Sequence, residues 1–141
     1  ATWWYGNQAK MESPFDIFYI GLIRDRSNLY KNIAARVREQ FSNGYPEEVE
    51  WLLVQGYSPS LPALQGFGYR ELVQYVKGSC SYEEALEGDI RSTKAFSRKQ
   101  MTWFRHFEPA LWYDFDKYEM SEAMENVLPH CIRHLEQEDK E

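Results

Sequence analysis

The chain has 141 residues, 43% of them hydrophobic and 27% charged, with 8 Gly and 6 Pro. Such a composition has room for one domain and excludes a disordered, collagen-like or low-complexity polypeptide. The net charge of −6 speaks against a uniformly basic nucleic-acid binder, but residues 108 to 141 hold 10 acidic and 3 basic side chains, so an acidic tail hides a near-neutral body.

The start, Ala1-Thr2-Trp3-Trp4-Tyr5-Gly6, has neither an initiator Met nor the basic and apolar regions of a signal peptide, and the chain is expected to begin inside a longer gene product. Phe18 to Ile23 is a short apolar run that reads as a buried strand. Ser27 is a candidate N-cap for a helix to about Asn43, with Leu29, Ile33, Val37 and Phe41 recurring every four residues and Gly44 ending it. Pro46 opens a second helix that closes near Gly56, its core side being Val49, Leu52 and Leu53. Ser58 to Pro62 reads as a loop, and Gly66 and Gly68 precede a third helix from Tyr69 to Lys77, stopped by Gly78.

Ser81-Tyr82-Glu83-Glu84 is a capping-box pattern, so a long helix is predicted over about 82–106, closed by Pro109. A short strand over about 110–115 and an acidic C-terminal helix over about 119–137, kinked at Pro129, complete the chain. The predicted fold is mainly α with a few short strands, in a single segment spanning residues 1–141. No run of about 18 apolar residues is present to span a membrane. Cys80 and Cys131 form no CxxC pattern and no disulfide framework, which makes a reducing, cytosolic setting the expectation.

The long helix carries the first chemical signal. Between Asp89 and Glu108 no acidic residue occurs, while Arg91, Lys94, Arg98, Lys99 and Arg105 do. At about 100° per residue, Arg91, Lys94, Arg98 and Arg105 share an arc of about 60°. Phe96, Trp103 and Phe107 lie opposite and are expected to pack inward. Two readings of the cation row are open: a solvated face whose cations pair with acids elsewhere, or a surface for a polyanion such as a phosphate backbone.

Arg36 is the second signal. It follows Leu29 and Ile33 by seven and three residues and precedes Gln40 by four, at the edge of the apolar stripe. A charge placed there needs a partner, either a carboxylate of the chain or a bound phosphate. Gln65-Gly66-Phe67-Gly68-Tyr69-Arg70 is a Gly-x-Gly loop opening a helix, where backbone can approach a ligand closely and an anion is favoured. It lacks the third glycine of a dinucleotide fingerprint, and no G-x-x-x-x-G-K-[ST] occurs anywhere in the chain. His130 and His134 flank Cys131 at helical spacing, but no third metal ligand is evident, so packing or surface histidines are expected.

Several segments together resemble the C-terminal half of bacterial tRNA dimethylallyltransferases. They are Leu61-Pro62-Ala63-Leu64-Gln65-Gly66-Phe67-Gly68-Tyr69-Arg70-Glu71-Leu72, Ser81-Tyr82-Glu83-Glu84-Ala85 and Arg98-Lys99-Gln100-Met101-Thr102-Trp103-Phe104-Arg105, with Ile20-Gly21-Leu22, Leu29-Tyr30, Arg36-Val37, Glu47-Glu48-Val49 and Trp112-Tyr113-Asp114 in family order. The resemblance spans about residues 15–115.

It implies the C-terminal half of an α/β P-loop-like prenyltransferase core. The implied reaction moves a dimethylallyl group from its diphosphate to the exocyclic amine of the adenosine beside a tRNA anticodon, with the base extruded into a pocket. Its implied partners are the tRNA anticodon stem-loop and dimethylallyl diphosphate. Mg²⁺ is the implied cofactor, held mainly by the N-terminal half of such enzymes. Gln65 to Arg70 and Arg98 to Arg105 correspond to the two tRNA-contacting segments, with Arg91 and Lys94 as a secondary basic face. Arg36 corresponds to the arginine that meets the diphosphate, where its fork can donate two bonds at once. No catalytic residue is assigned in this segment.

The departures from the family pattern are local. Lys94 follows Thr93 where Arg is usual, Ser97 replaces an Ala, Arg98-Lys99 reverses a Lys-Arg pair, and Arg38-Glu39-Gln40-Phe41 stands where Asp and Met are common. With the P-loop, the catalytic carboxylate and the helical insert lying elsewhere in such enzymes, the segment alone is expected to be inactive. Its strand, short of sheet neighbours, is expected to favour self-association.

Overall fold

The computed structural model describes residues 17–105 and 111–138. They fall into two compact units, one of residues 24–107 and one made of the two ends of the chain, residues 1–23 and 108–141.

The 24–107 unit is helical. Helix α1, Arg26–Ser42, is capped by Asp25 rather than Ser27. The Asp25 carboxylate accepts from the backbone amides of Ser27 and Asn28 at 2.8 and 3.3 Å and also from the Ser27 hydroxyl. An acid one residue ahead of the helix reaches its unpaired amides and complements the positive end of the dipole, so it displaces the serine. Gly44, at φ +96°, turns the chain into α2, Tyr45–Val54, with Pro46 in its first turn. After the predicted loop from Ser58, Pro62–Gln65 winds into one 3₁₀ turn. Helix α3 covers Tyr69–Val76 and helix α4 Tyr82–Phe104. The predicted capping box opens α4: the Glu84 amide donates to Ser81 Oγ at 3.2 Å, and the Ser81 amide to the Glu84 carboxylate at 2.8 Å.

The core is one cluster of Ile33, Val37 and Phe41 from α1, Val49 from α2, Leu72 and Val73 from α3, and Ala85, Leu86 and Ile90 from α4. Helix α4 lies against both α1 and α3. Around the cluster, Phe41, Tyr45, Tyr69, Tyr75 and Tyr82 meet edge to face, with centroids 5.1–5.9 Å apart. The expected inward packing of Phe96 and Trp103 is overturned: they are 41% and 58% exposed, and no residue of α4 from Arg91 onward is buried. Ile90 is the last buried residue of α4, so the apolar side chains beyond it lie outside the core cluster. Phe107 and Pro109 lie outside the described residues.

In the other unit, β1 (Ile20–Ile23) and β2 (Leu111–Asp114) pair in parallel, Ile20 opposite Leu111 and Ile23 opposite Asp114. Gly21 lies under the Trp112 ring, in the place a Cβ would need. The strand read as buried is half-exposed instead, with Ile20 at 38% and Leu22 at 59%. Helix α5, Met120–Glu138, runs on through Pro129. Among the described residues no helix is long and apolar enough to cross a membrane.

Candidate functional site

The Gly-x-Gly loop is built onto α4 by a buried carboxylate. Glu71, on the first turn of α3, is 8% exposed. One of its oxygens accepts from the Gly68 amide at 3.0 Å; the other accepts from Arg70 at 2.6 Å and from the Ser92 hydroxyl of α4 at 3.0 Å. Burial pushes this carboxyl up, but the bonds from Arg70 and Ser92 outweigh it and leave Glu71 below the ordinary range. The helix N-terminus that could have received an external anion is therefore filled by the chain's own acid.

Gly68 has φ +81°, and a Cβ there would fall 2.8 Å from an Asp89 carboxylate oxygen and 2.6 Å from the Tyr45 hydroxyl. Asp89 is 4% exposed and accepts from Thr93 Oγ1 at 3.0 Å. Burial, with the neighbouring Glu71 charge, raises its carboxyl above the usual value, against the pull of the Thr93 bond and of Arg36. Gln65 is tied down locally, its amide donating to the Pro59 carbonyl at 2.7 Å. Phe67 leaves the loop to meet Phe96 of α4, centroids 5.2 Å apart, both rings more than 40% exposed. Loop and helix thus share one surface through two links, Arg70 to Ser92 at 3.3 Å and Phe67 to Phe96.

Beyond that junction α4 presents Arg98, Lys99, Gln100, Thr102, Trp103, Phe104 and Arg105 to solvent, with Met101 half-buried. Trp103 and Phe104 stand edge to face at 5.1 Å. The cation row does not stay together. Arg91 lines a cleft of about 370 Å³ with Glu71 and Glu84 on the α3 side. Lys94 and Arg98 instead turn toward Tyr30 of α1, with Lys94 Nζ 5.5 Å from the ring centroid and Arg98 donating to the hydroxyl at 3.1 Å. Among the described residues, no carboxylate lies within ion-pairing distance of Arg91, Lys94, Arg98, Lys99 or Arg105. Arg91, Arg98, Lys99 and Arg105 are solvent-exposed, and the acid pairing that one reading of the row expected is not seen among the described residues.

Arg36 is exposed rather than wedged at the stripe's edge, and it too has no carboxylate at pairing distance among the described residues. Its neighbour Arg38 does reach one, Glu87 at 3.6 Å. The sequence reading missed Glu71 and Asp89, which hold the loop, and Arg26, which donates to Tyr30 at 3.1 Å. Glu71 three residues after Gly68, and Arg26 four before Tyr30, were the available signals.

His130 and His134 flank Phe18, with centroids 6.4 and 5.5 Å away, and His130 Nδ1 is 3.0 Å from Arg133. Among the described residues no group of three His, Cys, Asp or Glu side chains gathers as a metal would require. The described residues offer no side-chain set that fits a magnesium ion.

The arrangement suits a chain of phosphates with unstacked bases. Cations with no carboxylate partner among the described residues can attract a phosphate backbone, and exposed rings offer faces for stacking. A family model described as IPP transferase matches residues 1–107. The curated tRNA dimethylallyltransferase of Alkaliphilus oremlandii is 37% identical over 128 residues, 91% of this chain and 40% of its own length. That of Geobacter sulfurreducens is 38% identical over 104 residues, 74% of this chain and 33% of its own. The crystal structure of the full-length tRNA isopentenylpyrophosphate transferase of Bacillus halodurans superposes with a TM-score of 0.84 at 27% identity, covering 92% of this chain and 42% of that one. The Staphylococcus epidermidis tRNA delta(2)-isopentenylpyrophosphate transferase gives 0.81 at 26%, covering 86% and 40%. The chain spans about 40% of the length of the first of these relatives.

Proposed function

The chain belongs to the IPP transferase family, and on that premise we propose that it is the tRNA-gripping part of a tRNA dimethylallyltransferase. In the reaction, the exocyclic amine of an adenosine attacks the first carbon of the dimethylallyl group. The carbon–oxygen bond to the diphosphate breaks, and the amine proton leaves to a base outside this segment.

The work assigned to this segment is electrostatic and positional. The exposed Arg36 guanidinium offers a two-pronged donor to the departing diphosphate, whose charge grows as the bond breaks. The loop of Gln65 to Arg70 and the α4 run from Arg98 to Arg105 hold the anticodon stem-loop, cations on phosphates and rings on bases. The observation that carries the reading is the run of α4 cations with no carboxylate partner among the described residues, beside the exposed Phe96, Trp103 and Phe104. With no G-x-x-x-x-G-K-[ST] of its own, the segment does not turn over by itself.

The test is single-turnover prenyl transfer by the full-length protein from radiolabelled dimethylallyl diphosphate to an anticodon stem-loop. Arg36→Ala is expected to lower the chemical rate by about 10²-fold or more while stem-loop affinity holds, in line with the removal of one transition-state donor. Wild-type protein that binds the stem-loop without transferring the group would leave a non-catalytic RNA-binding module instead.

A further inference from the structure

Three cations converge on one phenol. Arg26, at the start of α1, donates Nε–H to the Tyr30 hydroxyl at 3.1 Å, and its guanidinium carbon lies 5.2 Å from the ring centroid. Arg98 of α4 donates to the same oxygen at 3.1 Å, and Lys94 Nζ stands 5.5 Å from the same centroid. Among the described residues no carboxylate pairs with any of the three. Asp25, beside Arg26, directs its carboxylate to the amides of Ser27 and Asn28.

A neutral hydroxyl cannot balance three positive charges. Both of its lone pairs are used by the two arginines, and its own O–H finds no acceptor among the described residues. Each guanidinium has spent one of five N–H donors on the phenol and keeps the rest. The bond from Arg98 also holds the hydroxyl below the usual phenol range, against the opposing effect of burial and with a smaller contribution from the Arg26 bond. What such a cluster lacks is a compact anion with several acceptor oxygens, one of them for the Tyr30 proton.

We propose that Arg26, Tyr30, Lys94 and Arg98 form a phosphate-binding site across α1 and α4, separate from the role given to Arg36. The guest is a phosphate group: either one phosphodiester of the bound RNA or one end of a free diphosphate. The RNA arm rests on the function proposed above; the diphosphate arm does not.

The test uses the full-length protein with two probes, an anticodon stem-loop and inorganic diphosphate. Each is titrated over a range of salt with wild type and with Arg26→Ala, Tyr30→Phe and Lys94→Ala; thermal unfolding verifies that each variant is folded. Arg26→Ala and Lys94→Ala are each expected to weaken one of the probes by roughly tenfold and to lower the salt slope by about one. Tyr30→Phe, which keeps the ring and loses the O–H, should weaken it by a smaller factor, about threefold.

A loss confined to the stem-loop identifies the guest as a backbone phosphate, and a loss confined to diphosphate identifies the free anion. Folded variants that bind both probes as wild type does would reduce the cluster to a brace between α1 and α4 and overturn the site. So would a wild type that binds neither probe. Wild type that binds diphosphate through these residues but no stem-loop keeps the site and removes the tRNA reading.

Discussion

Glu71 and Asp89 are two buried acids with opposite debts to their surroundings. Glu71 is held ionised by Arg70, Ser92 and the Gly68 amide, and its carboxyl titrates below the unfolded value of 4.5. The stability it contributes is complete above that value and is lost as pH falls through the folded one. Asp89 is raised by burial above its unfolded value of 3.8, so the folded state holds its proton to higher pH than the unfolded chain does. Stability therefore drops as pH rises through that window, and the cost persists at neutrality.

Two melting-curve series separate these effects. Glu71→Gln should lower stability at neutral pH by about 1–3 kcal/mol, since the amide cannot accept all three bonds, and the deficit should shrink in acid. Asp89→Asn keeps an acceptor for Thr93 and removes the ionisation cost, so it should melt higher than wild type at neutral pH, with the gain fading in acid. A neutral-pH gain for Glu71→Gln or a loss for Asp89→Asn would reverse these assignments. The contact of Glu71 with the Gly68 amide is local and legible in its spacing, but the bond from Ser92 and the burial of Asp89 depend on partners that only folding brings.

At the scale of elements, α4 is one helix with two occupations. Its first turns carry Ala85, Leu86 and Ile90 into the core, and its last turns carry rings and cations into solvent. Periodicity in the sequence identified the helix, its capping box and an apolar face carrying Phe96 and Trp103. It could not say how far α1 and α3 extend along that face, which decides whether Phe96 and Trp103 are core or surface. The same limit applied to β1, where an apolar run implied burial that a two-stranded sheet does not provide.

Substitutions can read the two occupations apart. Leu72→Ala, at a fully buried site facing α4, should cost about 2–5 kcal/mol in denaturant unfolding. Trp103→Ala, on the open part of the helix, should cost about 1 kcal/mol or less while weakening stem-loop binding by roughly the worth of one stacked base, about 1–3 kcal/mol. A Trp103 variant as unstable as the Leu72 variant would place that ring in a core after all.

Across the whole molecule, charge is sorted along the chain. The 24–107 unit carries the cation row of α4, while the acidic excess lies in residues 108–141. A net charge of −6 therefore coexists with a locally basic surface, and the average alone would have discouraged a nucleic-acid reading. Much of the site was legible because it is local: cation spacing, the Gly-x-Gly loop and the ordered motifs all lie in contiguous sequence. The convergence of Arg26, Tyr30, Lys94 and Arg98 was not, since Arg98 and Tyr30 stand 68 residues apart.

Salt-dependent binding of an anticodon stem-loop to the full-length protein, compared with its Lys99→Ala, Arg105→Ala double variant, bears most directly on the role given to α4. Wild-type affinity should fall with salt on a logarithmic slope of about −3 or steeper, as expected for four or more phosphate contacts. The double variant should lose about 1.5 of that slope and bind more weakly at every salt concentration. A flat wild-type slope, or a folded double variant with unchanged slope and affinity, would contradict α4 as the surface that meets RNA.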